Sequence, residues 1–283
     1  MPKVTLADGE LDGLELSYLV DGQGPATLLI HGLGGFAASW RHTIAALSSH
    51  GQVVALDLPG FGQSAKPRRR YDLAFLAGTV DGFLRALDID RVRLVAHSLG
   101  GAVAAAFALA SPDRVERLAL LSPVIPGFPL RPSIVYRVLA LPGIGDLVAR
   151  AVTRRMCAAA LDRCFFSAHP EEVAFLVDHQ FEVRASAGAR GAYLATLRGA
   201  RRDFAAGAPV YRAALGRWTR PALVIHGRQD PVVPVAHAEA VARGLPSAVM
   251  RVIDQCGHFP QIEHARAVNE WLGEFLFAGA AGR

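Results

Sequence analysis

The chain has 283 residues, enough for one large domain or one domain carrying an insertion, and 52% of them are hydrophobic, so a substantial core is available. The formal charge of +5 is almost wholly arginine, with Lys3 and Lys66 the only lysines. The arginines are scattered apart from Arg68, Arg69 and Arg70 and the pairs Arg154 with Arg155 and Arg201 with Arg202, without interleaved aromatics, which argues against nucleic acid as a partner and for a solvated surface.

The first residues, MPKVTLADGE, have no basic-then-apolar leader pattern, and no uninterrupted apolar run of about 18 residues could span a bilayer. A cytoplasmic protein without integral membrane association is expected. Residues 4–20 read as a β-hairpin at an antiparallel edge, with turns at Asp8-Gly9 and Asp12-Gly13 and with Leu14, Leu16, Tyr18 and Val20 alternating on one face. Thr27 to Ile30 is a short apolar strand that runs into His31, Gly32, Leu33, Gly34 and Gly35. Glycines there free the backbone to approach another group and to aim amide hydrogens inward, although a plain glycine loop would use the same residues.

A helix is predicted from Ser39 to Leu47 and a buried strand from Val53 to Leu56, ending at Asp57. The stretch LDLPGFGQSAKP that follows is loop-forming, and Asp57 is read as a structural aspartate bonding nearby amides. Leu73, Leu76, Val80, Phe83, Leu84 and Leu87 recur at helical spacing, with Asp72 as a first-turn anion. Residues 91–96 form a strand, and Leu99 to Ala110 a helix of small residues that ends at Ser111-Pro112. Arg117 to Leu121 is another apolar strand. Strands alternating with helices imply a parallel sheet covered on both faces.

The rhythm then breaks. Residues 124–220 hold no convincing strand but several helical patterns, for example Ile144 to Met156, Glu171 to Val183 and Tyr193 to Phe204, and a segment this long cannot be one loop of a compact domain. A helical cap inserted into a core of residues 1–123 and 221–283 is expected. The strand rhythm returns at Ala222 to Ile225, followed by a helix from Val235 to Arg243, a strand from Val249 to Ile253, the loop Asp254 to His258 and a helix from His264 to Phe277. The tail AGAAGR reads as disordered. Cys157, Cys164 and Cys256 are odd in number and lack metal-ligand spacing, so they are taken as small buried side chains rather than a disulfide framework or zinc site.

One turn stands out. Between the strand ending at Ala96 and the helix starting at Leu99, only His97 and Ser98 are left to reverse direction, which forces a strained backbone and tiny neighbours. Ala96, Gly100 and Gly101 supply them, so AHSLGG matches the nucleophile elbow G-x-S-x-G with alanine for the first glycine. A serine that merely caps a helix after a buried strand would fit the same residues. A base and an acid elsewhere decide between the two. In a parallel sheet, functional loops gather at the carboxyl ends of the strands, and Leu33, Ser98, Asp230 and His258 all lie just beyond such ends. Of ten histidines, His258 is the one that follows the last predicted strand and an acid that itself follows the preceding strand.

The order Ser98, Asp230, His258, together with HGLGG at 31–35, DLPGFGQS at 57–64, AHSLGG at 96–101, HGRQDPVVP at 226–234 and CGHFPQIEH at 256–264, resembles the α/β-hydrolase fold superfamily. The likeness spans nearly all of the chain outside the cap. It implies an α/β fold with a mostly parallel, doubly wound sheet, Ser98 as nucleophile, His258 as base, Asp230 as the acid that orients it, and the Leu33 and Leu99 amides as oxyanion donors. No cofactor or metal is called for. His31 and His97 are read as scaffold, and Phe128, Leu130, Phe165, Phe166, Phe175 and Phe181 as candidates for an apolar substrate wall.

The expected activity is hydrolysis of a small or medium apolar carboxylic ester, or a related acyl compound, through an acyl-enzyme. A carbon–carbon bond hydrolase of ring-fission products is the alternative. CGHFPQIEH is similar to that group's closing motif, but Phe259 and Ile262 stand where the group commonly has tryptophan, and HGLGG differs from its HGGGPG loop. A non-catalytic small-molecule receptor on the same fold is a third reading, and perhydrolase chemistry shares the same residues. With serine at the elbow, dehalogenase and epoxide hydrolase chemistry are disfavoured, because both need a carboxylate nucleophile. Oligomeric state is left open.

Overall fold

The computed structural model describes residues 1–7, 9–130, 133–184 and 186–278. Asp8 of the first predicted turn, and all but Ala278 of the predicted disordered tail, lie outside the described residues. Eight strands form one sheet: β1 (Lys3–Thr5), β2 (Glu15–Asp21), β3 (Thr27–Ile30), β4 (Val53–Leu56), β5 (Val92–His97), β6 (Val115–Leu121), β7 (Ala222–Gly227) and β8 (Ala248–Ile253), in the order β1-β2-β4-β3-β5-β6-β7-β8. β1 and β2 pair antiparallel at one edge, and β3 to β8 run parallel.

The two-residue period of the strands sends alternate side chains into two separate cores. Leu28, Ile30, Leu94, Ala96, Leu118 and Leu120 face one layer, where helices α2 (Leu73–Ala86) and α3 (Leu99–Ala110) pack. Leu29, Val95, Ala119 and Leu121 face the other, against α1 (Arg41–Leu47) and the C-terminal helix Ala265–Phe277. The sheet is therefore covered on both sides, and its polar loops collect at its edges.

Among the described residues, six helices lie between β6 and β7: α4 (Ile134–Leu139), α5 (Ile144–Ala151), α6 (Arg154–Asp162), α7 (Pro170–Arg184), α8 (Ala187–Ala206) and α9 (Ala208–Leu215). After β7 come α10 (Val235–Gly244), α11 (Pro260–Glu263) and α12 (Ala265–Phe277). A third apolar cluster joins this helical segment to the sheet domain, with Leu161, Phe165, Val173, Leu176 and Val177 on one side and Phe36 and Ile262 on the other. Arg41 and His42 of α1 both reach Glu172 of α7, the latter at 3.0 Å, and Asp203 of α8 accepts the Leu73 amide at 2.7 Å.

Several expectations need correction. The helix predicted over Ile144 to Met156 is two helices: Val152 is extended, and the Thr153 hydroxyl accepts the Met156 amide at 3.2 Å to start α6, so a cap overrides the apolar period. Asp72 is not inside its helix but caps it, accepting the Phe75 amide at 3.0 Å. The segment before α1 is a 3-10 turn, Ala37–Trp40. Val20 lies on the face of β2 that carries the buried Leu16 but is itself exposed. Of the cysteines, Cys164 is only partly covered, while Cys157 and Cys256 are buried.

Asp57, fully buried at the end of β4, accepts the Ala37 amide at 2.6 Å and the Gln63 amide at 2.8 Å, and its own carbonyl accepts the Ser64 hydroxyl at 2.6 Å. It thus closes two loops at the edge that carries the site. Asp57→Ala would strip two amides of their acceptor, and unfolding free energy is expected to drop by roughly 2–6 kcal/mol in denaturant titrations, from about 1–3 kcal/mol for each stranded group. An unchanged midpoint would contradict this.

Candidate active site

The path from β5 into α3 sets the geometry. Ser98 sits at φ 53° and ψ −124°, a left-handed position that non-glycine residues rarely adopt. It is pinned from three sides: its amide donates to Leu121 O at 3.0 Å, and its carbonyl accepts the Gly101 and Val124 amides at 2.9 and 3.0 Å. A Cβ on Gly100 would lie 2.5 Å from His31 O, and one on Gly101 would lie 3.0 Å from Pro123 Cβ, so the start of α3 is wedged against β3 and the end of β6. This is the physical reason for small residues after the serine.

The serine hydroxyl lies 3.1 Å from His258 Nε2, and His258 Nδ1 lies 2.8 Å from Asp230 Oδ2. A carboxylate accepts only, so Nδ1 carries the proton and Nε2 is the free acceptor facing Ser98. The other oxygen of Asp230 accepts the amides of Val232 and Val233 at 2.8 and 2.9 Å. Burial works to raise the Asp230 carboxyl, but the His258 charge and hydrogen bond, followed by His226 and the Val233 amide, outweigh it and hold the group below its ordinary value. All three side chains are buried.

Leu99 follows the serine directly, and Leu33 lies in the glycine loop after β3. A Cβ on Gly32 would stand 2.9 Å from Ser98 Cβ, so the glycine loop packs against the serine side chain. Leu99 is the first residue of α3, and its amide lies outside the helix's own ladder, at the positive end of the helix. Above the loop, a Cβ on Gly34 would meet the Tyr193 ring at 3.4 Å and Gln180 Oε1 at 3.9 Å, which places α7 and α8 over this edge of the sheet.

Three histidines brace the site without facing the hydroxyl. His97 donates through Nε2 to His258 O at 2.7 Å, and burial, then the nearby His258, push it down to about 3, so it is neutral at physiological pH. His31 donates from Nδ1 to Gly32 O at 2.8 Å and accepts the Leu58 amide at 3.0 Å, tying the glycine loop to the loop after β4. His226 shares Nε2 between Val233 O at 2.8 Å and Asp230 Oδ2 at 3.3 Å. His226 was not singled out from the sequence, although it lies four residues before Asp230 in HGRQD.

A second residue that the sequence reading passed over is Glu263. Its Oε1 accepts the amides of Gly257 and Phe259 at 2.9 and 3.3 Å, and its Oε2 accepts that of Phe166 at 2.8 Å. The His258 amide itself donates to Cys164 O at 2.7 Å. The histidine loop is thus stitched to the α6–α7 connection, and the motif CGHFPQIEH holds the signal, an acid five residues after the histidine. Burial pushes the adjacent Cys164 thiol up to about 12, so it is unreactive at neutral pH. Of the candidate wall residues, Phe165 stacks on Phe259 with centroids 5.1 Å apart, Phe175 lies under Arg41, Phe128 is packed beside His237, and Phe166 is 46% exposed. Leu130 and Phe181 are half-buried. Among the described residues no His, Cys, Asp and Glu cluster could hold a metal ion.

Two outcomes follow from this bracing. Glu263→Ala is expected to raise amide hydrogen exchange at Gly257, Phe259 and Phe166 on the order of tenfold or more, as three amides lose their acceptor; unchanged protection there would show that the carboxylate does not hold the loop. Burial also lowers His31, His226 and His237. An unfolded histidine takes up its proton below about pH 6.5 while the buried one does not, so stability falls as pH drops from about 6.5 toward 3. His97 alone is expected to remove about 2 kcal/mol between pH 7 and pH 5, and equal unfolding free energies at the two pH values would refute this.

Comparison with known proteins gives one answer about kinship. Residues 25–265 match the model of the alpha/beta hydrolase fold family. A 2-hydroxymuconate semialdehyde hydrolase of Pseudomonas sp. (strain CF600) is 30% identical over 268 residues, 93% of this chain and 91% of its own. Among solved structures, the 2-hydroxy-6-oxo-6-phenylhexa-2,4-dienoate hydrolase of Rhodococcus sp. strain RHA1 superposes with a TM-score of 0.82 at 28% identity, covering 98% of this chain and 99% of its own. A thermophilic esterase from Thermogutta terrifontis superposes with a TM-score of 0.79 at 26% identity, over 97% of each chain. The eight-stranded, mostly parallel sheet, the order of its strands and these likenesses agree: the chain belongs to the alpha/beta hydrolase fold family.

Proposed function

We propose that this hydrolase acts through Ser98 on a small or medium apolar carboxylic ester. The observation that carries the reading is the continuous hydrogen-bonded line from the Ser98 hydroxyl to His258 at 3.1 Å and on to Asp230 at 2.8 Å. His258 takes the serine proton as Oγ bonds to the acyl carbon, and Asp230 stabilises the imidazolium that results. The Leu33 and Leu99 amides hold the oxyanion, each worth about 3 kcal/mol of barrier. As the carbonyl re-forms, the bond to the alcohol oxygen breaks, and His258 returns the proton to that oxygen. Water then adds to the acyl carbon by the same relay, and the acid leaves with Ser98 restored.

In this reading residues 124–220 act as a cap that excludes water and supplies the apolar wall. Support comes from α7 and α8 lying over the glycine loop and from Phe165 packed on Phe259 beside the base. The pocket partner is a small acyl compound, and no cofactor enters the cycle.

A second reading is favoured by the likeness to hydrolases of 2-hydroxymuconate semialdehyde and of a phenylhexadienoate. Cleaving a carbon–carbon bond uses the same attack on a carbonyl but needs a leaving carbon that conjugation can stabilise as an enol. A panel of chromogenic esters of rising acyl length, run beside 2-hydroxymuconate semialdehyde, separates the two. Short or medium esters are expected to turn over, a fluorophosphonate to label Ser98, and Ser98→Ala to lower kcat by on the order of 10⁴-fold or more. Faster turnover of the semialdehyde than of every ester would transfer the assignment to carbon–carbon cleavage. Undiminished activity of Ser98→Ala would end both readings.

A further inference from the structure

The surface of the helical segment farthest along the chain from the base is built the wrong way round for contact with water. Six of the eleven large apolar side chains left exposed among the described residues fall between Ile134 and Met156: Ile134 and Val135 on α4, Leu141, Ile144 and Leu147 on and before α5, and Met156 on α6. The other five are spread over the rest of the molecule. A concentration of this kind marks a surface that meets something other than water.

Helix α5 shows the inversion most plainly. The one residue it buries is Gly145, where a Cβ would stand 2.0 Å from Leu139 O, so this side lies hard against the end of α4. Its acid, Asp146, with a side chain 45% exposed, pairs with Arg198 of α8 at 2.6 Å, while Arg198 also donates to Ala140 O at 3.3 Å. Ile144 and Leu147, one turn apart, are left 54% and 70% exposed. A helix bathed in water turns its apolar stripe inward; here the apolar pair lies outside.

Charge identifies the occupant. Arg137, Arg150 and Arg155 are exposed on the same three helices and have no carboxylate partner among the described residues. From Ser133 to Arg163 the sequence holds five arginines against Asp146 and Asp162. A second copy would bring the same cations to the contact, whereas an anionic headgroup layer would pair with them as the apolar residues enter the acyl boundary. We infer that the outer face of α4, α5 and α6 docks this protein, peripherally, on anionic lipid bilayers. No helix among the described residues is long and apolar enough to cross a membrane, so the attachment is one of surface contact.

The proposal does not depend on the catalytic reading, because the test reads binding alone. The intact chain is sedimented with vesicles of phosphatidylcholine alone and with vesicles in which part of the lipid is phosphatidylglycerol, at low and at high salt, beside sedimentation velocity without lipid. Partition onto the anionic vesicles at low salt is expected to exceed that onto phosphatidylcholine by on the order of tenfold and to fall with salt. Leu147→Asp and Arg150→Glu, both at exposed positions, should each lower it severalfold while leaving the thermal unfolding midpoint in place. No partition onto anionic vesicles at low salt, or partition that Leu147→Asp leaves unchanged, overturns the proposal. A dimer that Leu147→Asp dissociates, without vesicle binding, assigns the face to a second copy instead.

Discussion

A single backbone conformation, the left-handed Ser98 at the junction of β5 and α3, sets the terms for the rest of the site. Such a residue costs on the order of 1–3 kcal/mol and persists only where its surroundings leave no alternative. Here β6 holds the amide, the first turn of α3 and the segment after β6 hold the carbonyl, and the backbone of β3 presses on Gly100. In this conformation the hydroxyl lies 3.1 Å from His258 Nε2, and Leu99, the first residue of α3, follows directly. Loosening any of these braces would let the serine relax and take the hydroxyl away from His258.

The opposing half of the site is a loop held by hydrogen bonds rather than by strain. The His258 backbone is gripped through its carbonyl by His97, through its amide by Cys164 O, and through its neighbours by Glu263. Two of these grips, Cys164 and the Glu263 contact with Phe166, involve the connection between α6 and α7. The imidazole position is therefore coupled to the packing of the helical segment. The buried histidines belong to the same design: kept neutral by burial, they supply hydrogen-bond donors and acceptors without introducing a charge beside Asp230.

The helical segment carries two different amphipathic surfaces. Inward, Leu161, Phe165, Leu176 and Val177 pack on Phe36 and Ile262, and the ion pairs of Glu172 fasten α7 to α1. Outward, α4 and α5 leave isoleucine, valine and leucine in the open on the same helices as Arg137 and Arg150, which have no carboxylate partner among the described residues. The inward surface has its partner within the chain, and the outward one is where a partner from outside fits.

What the sequence determined by itself was local and periodic. β3 (Thr27–Ile30), β4 (Val53–Leu56) and α3 (Leu99–Ala110) fall where short apolar runs, glycines and prolines bound them, because strands buried on both faces are apolar throughout and breakers mark their ends. The elbow and the residues of the candidate site were legible for a related reason: loops at the carboxyl ends of parallel strands must share an edge, so the order of the strands carries Ser98, Asp230 and His258 together. Other features were set by contacts between distant residues, which no local period encodes. Thr153 broke a helix that apolar spacing joined, Glu263 became a brace through amides at 166, 257 and 259, and Phe165, with Phe166 left exposed, stacks on Phe259. The face that α5 presents is the clearest case. Ile144 and Leu147 are left in the open while Gly145 lies against Leu139 O and Asp146 pairs with Arg198, contacts with residues outside the helix that its own period does not encode.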